Sequence, residues 1–84
     1  MTARVRLLGR YDCTLCEELH AALLRDPTCS AAGVEWVDLD DVPELRETYL
    51  FVIPVVLVDA VEAWRGPLTE TTLEALHAAI AAAG

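Results

Sequence analysis

Val52–Val58 reads VIPVVLV, a nearly unbroken β-branched run in a chain of only 84 residues. A strand of that make-up offers no polar face to water, so it belongs at the centre of a sheet with cover on both sides. A chain this short forms one domain, residues 1–84, and the rest of it must supply both the neighbouring strands and the cover. The 55% hydrophobic content is rich enough to do so without disulfide staples.

The flanking segments alternate between strand and helix patterns. Val5–Gly9 (VRLLG) reads as a short buried strand. Thr14–Arg25 has helical periodicity, with Leu15, Leu19, Ala22 and Leu23 on one face, joined by Cys16. Thr14-x-x-Glu17 matches a capping box that fixes the helix start beside Cys13. Pro27 stops this helix, and Thr28–Gly33 is expected to be a loop of small residues holding Cys29. Val34–Leu39 is a second strand, Asp40–Val42 a turn, and Pro43–Tyr49 a short helix with proline in its first turn. After the Val52–Val58 strand come a tight turn at Asp59-Ala60 and a fourth strand, Val61–Trp64. Ala60 is not a residue that primed hairpin turns favour, which leaves the turn type open. Thr69 or Thr71 caps a last helix, whose inner face carries Leu73, Leu76 and Ile80. The order is strand–helix–strand–helix–strand–strand–helix. A right-handed crossover joins the first two strands in parallel and a hairpin joins the last two. The predicted class is α/β: a three-layer fold with a mixed four-stranded sheet between helices.

Charge narrows the function. The net charge is −8, and no stripe of lysine or arginine exists, so nucleic acids and anionic membrane surfaces are not expected partners. No apolar run approaches the roughly 18 residues that span a bilayer. Two arginines interrupt the apolar N-terminal stretch, which lacks the core of a signal peptide, so a cytoplasmic location is expected. Thiols are kept reduced there, and a close cysteine pair points to catalysis or metal binding rather than to a structural bridge. Three cysteines is also an odd number for a disulfide scaffold.

Cys13 and Cys16 form such a pair, Cys-Thr-Leu-Cys, where the first strand gives way to the first helix. A thiol in the first turn meets unpaired N–H groups and the positive end of the helix dipole, which favour the thiolate. The spacing puts the second sulfur one turn along the same face, within reach of the first. Cys13, nearer the helix start and solvent, is the expected nucleophile on a substrate disulfide, and Cys16 resolves the mixed disulfide. Asp12, Glu17 and Glu18 place negative charge around Cys13 and oppose the helix terminus.

Three segments, LLGRYDCTLCEE, VEWVDLDDVPELRETY and VIPVVLVD, stand in an order and spacing that span nearly the whole chain. In these the chain resembles the glutaredoxin-like proteins of the thioredoxin-fold superfamily. The resemblance implies a thioredoxin-like fold and thiol–disulfide oxidoreductase activity without a bound cofactor or metal. It implies a cis Ile53-Pro54 bond lying against the cysteines, with the Ile53 backbone free to pair with an extended thiol substrate. Relatives hold glutathione partly through a basic residue just before the motif, the position of Arg10. Their acidic cap at the last helix is matched in RGPLTE only by Gly66 and Glu70, and Thr-Leu replaces the common Pro-Tyr between the cysteines. The expected partners are therefore a disulfide-containing protein or glutathione, and a reducing partner, and the domain fits a monomer.

Other residues have two readings. Tyr11 either contacts substrate beside Cys13 or, as the favoured alternative, covers the strand end. Trp36 and Trp64 are expected in packing. Leu50 and Phe51 form a docking patch if exposed and core if buried. Cys29 is expected to be a bystander. Cys13, Cys16 and His20 share a helical stripe, and Cys29 or His77 would complete a zinc tetrad. The fold opposes that, because Cys29 lies past the far end of the helix and His77 on another one. The rival to the enzyme is a thioredoxin-fold binding or metal-carrying module with idle cysteines.

Overall fold

The structure, a computed structural model, describes residues 3–83. Its elements are β1 (Val5–Gly9), α1 (Thr14–Arg25), α2 (Pro27–Ala32), β2 (Val34–Asp38), a 3-10 turn (Leu39–Asp41), α3 (Pro43–Tyr49), β3 (Val55–Val58), β4 (Val61–Arg65) and α4 (Thr72–Ala83). The strands lie in the order β2-β1-β3-β4. β1 pairs in parallel with β2 and antiparallel with β3, and β3 and β4 form the antiparallel hairpin. The sheet is mixed and four-stranded as predicted, and the fold is thioredoxin-like.

Alternation along the two central strands builds two cores. Val5 and Leu7 of β1 and Val56 and Val58 of β3 face one side, where Leu19 and Leu23 of α1, Cys29 of α2 and Leu76 of α4 cover them. Leu8, Val55 and Leu57 face the other side, closed by Leu39 and by Leu45 and Tyr49 of α3. Each β3 residue is buried, which is what its composition requires. Trp36 and Trp64 are half-buried and pack against the first core, in line with their packing role. No helix among the described residues is long and apolar enough to cross a membrane.

Four local expectations are corrected. Residues 28–33 are not a loop, because Pro27–Ala32 is helical. The Asp26 side chain accepts the Cys29 N–H at 2.9 Å, Pro27 fills the first turn where no N–H is needed, and Gly33 leaves the helix at φ 84°. The start of α1 is not a Thr14 capping box, since Cys13 is itself the N-cap. Leu15 is exposed rather than inward, because one position before Cys16 it is turned about 100° from the buried stripe of Cys16, Leu19 and Leu23. β3 begins at Val55 and not at Val52, where Pro54 has no N–H to give the ladder.

The β3–β4 turn has φ 50° at Asp59 and 69° at Ala60, two consecutive left-handed residues as a type I′ turn needs. Asp59 is held in place by the residue before β1: its carboxylate accepts the Arg4 N–H at 2.7 Å, and its own N–H donates to the Arg4 carbonyl at 2.9 Å. Ala60 carries the steric cost of a Cβ in this region. Ala60→Gly is expected to stabilise the protein by about 1 kcal/mol, read as a higher urea midpoint at unchanged slope. An unchanged or lower midpoint would show that the turn does not hold the alanine against its preference.

Candidate active site

The chain leaves β1 at Gly9, turns through Asp12 at φ 68°, and starts α1 at Cys13. Cys13 and Cys16 are joined as a disulfide with their Cα atoms 5.3 Å apart. The two sulfurs differ in setting. Cys16 is fully buried, whereas Cys13 is half-exposed at the helix tip. The Cys16 N–H donates to Cys13 Sγ at 3.2 Å, and the Glu17 N–H donates to the Cys13 carbonyl at 3.0 Å. The outer sulfur thus occupies the position of a capping oxygen, receiving an N–H from the positive end of α1. A thiolate there would gain a charge-assisted bond from the same donor.

Gly9 makes room for the inner sulfur. A Cβ built on Gly9 would lie 3.0 Å from the Cys16 Cβ, 3.1 Å from its Sγ and 3.0 Å from the Trp36 ring. The sequence reading did not single this residue out. Its available signal was a glycine inside a strand pattern, which marks close approach by another group.

The Ile53-Pro54 bond is cis, as the resemblance implied. Pro54 is fully buried, and its carbonyl accepts the Gly66 N–H at 2.8 Å. The β1–β3 register runs from Val5–Val58 to Leu8–Val55, so one further step brings Pro54 across from Gly9, on which Cys16 packs. Ile53 is half-buried against the second core, and its N–H and C=O have no backbone partner among the described residues.

Arg10 is engaged within the protein. Its Nη2 lies 3.2 Å from Asp40 Oδ2, while Arg46 Nε holds Asp40 Oδ1 at 3.1 Å. Tyr11 does not cover the strand end as favoured: it is 86% exposed, and Phe51 is 95% exposed. Leu50 is half-buried. The supposed zinc tetrad is not assembled. Cys13 and Cys16 are bonded to each other, and the His20 ring packs on Trp36 at 5.1 Å between centroids. Cys29 and His77 meet Asp26 at the opposite end of α1, about 18 Å away at 1.5 Å per residue over twelve residues.

Gly9→Ala is expected to cost about 1–3 kcal/mol, because Cys16 and Trp36 must both give way. Urea denaturation of the oxidised protein measures this, and an unchanged midpoint would mean that Cys16 is not seated against the strand.

A chain with a half-exposed and a buried cysteine at a helix start and a cis Ile53-Pro54 bond matches a family model described as a glutaredoxin-like domain (DUF836), over residues 4–80. No curated protein matches it significantly. The match covers nearly the whole chain, from β1 into α4, and the protein belongs to the glutaredoxin-like domain family.

Proposed function

We propose that the protein is a thiol–disulfide oxidoreductase that uses the Cys13–Cys16 couple to reduce disulfides, with those of proteins as its preferred substrates. The observation that carries this reading is the asymmetry of the pair: one sulfur reachable at a helix N-terminus, the other sealed behind it and already within bonding distance.

The reaction runs in two exchanges. The Cys13 thiolate attacks one sulfur of the substrate disulfide, forming a mixed disulfide and expelling the other sulfur as a thiolate. The Cys16 thiolate then attacks Cys13 Sγ and releases the second substrate sulfur. Two electrons pass from the dithiol to the substrate, the two protons of Cys13 and Cys16 end on the substrate thiols, and the enzyme is left as the disulfide. A reducing partner with thiols of its own, glutathione or a dithiol protein, restores the dithiol by the reverse exchange. The cytoplasm is the compartment in which that cycle would run reductively.

The substrate is proposed to extend along Ile53, pairing with its N–H and C=O, with Pro54 beneath it and Tyr11 at its side. Exposed Tyr11, Leu15 and Phe51 supply apolar area suited to a protein surface. Arg10 is the residue to which the resemblance gives a glutathione contact, yet Asp40 already holds its guanidinium, and a net charge of −8 does not draw an anionic tripeptide. Both features support protein disulfides over glutathione.

Cys13→Ser is expected to abolish reduction of any disulfide, while Cys16→Ser retains the first exchange and accumulates a mixed disulfide on Cys13, visible as a mass adduct. Turnover by Cys13→Ser comparable to the wild type would end the proposal. Phe51→Ala is expected to raise KM for a protein disulfide roughly five- to tenfold, from about 1 kcal/mol of lost apolar contact, and to leave a small aliphatic disulfide unaffected. Equal effects on both substrates would count against protein docking.

A further inference from the structure

We propose that Asp26, Cys29 and His77 form a binding site for a zinc ion at the corner where α1, α2 and α4 meet. The three residues come from separate parts of the chain: Asp26 joins α1 to α2, Cys29 lies in α2, and His77 in α4. Their ligand atoms all lie within 4.8 Å of one another. The set is one thiol, one imidazole and one carboxylate, all donors that zinc accepts, with a fourth position left for water. A thiolate in the set points away from magnesium and calcium, which take oxygen ligands.

The geometry is close to what a tetrahedral ion needs. Metal–ligand bonds of about 2.0–2.3 Å place neighbouring donors about 3.3–3.6 Å apart. His77 Nε2 lies 2.8 Å from Asp26 Oδ2, and no two ligand atoms are more than 4.8 Å apart. Bringing the outer bound of 4.8 Å to about 3.6 Å takes about 1.2 Å at most, and His77 can supply it because its side chain is 42% exposed, against 10% for Asp26. Cys29 forms the buried floor and His77 the entrance. Asp26 is fixed between them, its Oδ2 accepting both the Cys29 N–H at 2.9 Å and His77 Nε2.

The same arrangement argues against a nucleophilic role for Cys29. Burial, with the Asp26 carboxylate beside it, pushes Cys29 up to about 12. A cation inverts that logic: it ionises the thiol, binds the thiolate and releases the Cys29 proton to water.

The test uses untagged protein with the Cys13–Cys16 disulfide closed, so that the redox sulfurs cannot ligate. Cobalt(II) serves as the spectroscopic probe and zinc as the competitor. The expected result is one cobalt per chain, a thiolate-to-cobalt charge-transfer band, tetrahedral visible bands, release of at least one proton at pH 8, and a raised Tm with zinc. Cys29→Ala is expected to abolish the charge-transfer band and His77→Gln to weaken binding at least tenfold. His77→Gln keeps the test sound should Cys29→Ala fold poorly. Absence of a thiolate band in the wild type, or a band and affinity unchanged in His77→Gln, overturns the site. The redox proposal does not depend on this outcome, because the two sites lie at opposite ends of α1.

Discussion

The cysteine end of this protein depends on one close approach, the Cys16 side chain packed so near Gly9 that a Cβ built there would lie 3.0 Å from the Cys16 Cβ. That contact fixes how near the tip of α1 comes to the end of β1. With Cys16 seated, the helix must begin one turn earlier, and Cys13 falls at the N-cap with its sulfur against the Cys16 N–H. The exposure of one sulfur and the shelter of the other both follow from this placement.

The sheet supplies the rest. β1 and β3 are the central strands and bury both faces, so helices are required above and below. α1, α2 and α4 close one face, and the short α3 closes the other. Because β1 and β3 are adjacent and antiparallel, the chain leaving β1 towards Cys13 and the chain entering β3 from Pro54 meet at one edge of the molecule. Topology brings the cysteine pair and the proline to the same end of the sheet, though some 40 residues separate them in sequence.

Much of this was legible in the residues. Periodicity located α1 and the inner face of α4, Pro43 marked the start of α3, and the apolar VIPVVLV run identified the central strand. The C-x-x-C pair and Pro54 marked the site. What escaped has identifiable causes. α2 is hard to see in the sequence because its signal is a cap rather than a period: six residues are too few to show a stripe, and Pro27, which stops α1, also opens α2 behind the Asp26 cap. Tyr11 was judged by the average habit of aromatic rings, whereas here the strand end offers it no cover. Thr14 matched a capping pattern, but the sulfur one position earlier takes that place. The meeting of Asp26 with His77, 51 positions apart, is a tertiary event that no local pattern encodes.

The bond from the Gly66 N–H to the Pro54 carbonyl has a wider reach than its size. Gly66 sits at φ 101°, where a side chain is poorly tolerated, and its own carbonyl accepts the Trp64 indole N–H at 3.0 Å. The segment leaving β4 therefore works as a buttress behind the proline wall. A side chain on Gly66 would strain the backbone there and, through this bond, shift the carbonyl of Pro54, so the connection after β4 helps set the shape of the chain beside the cysteine pair.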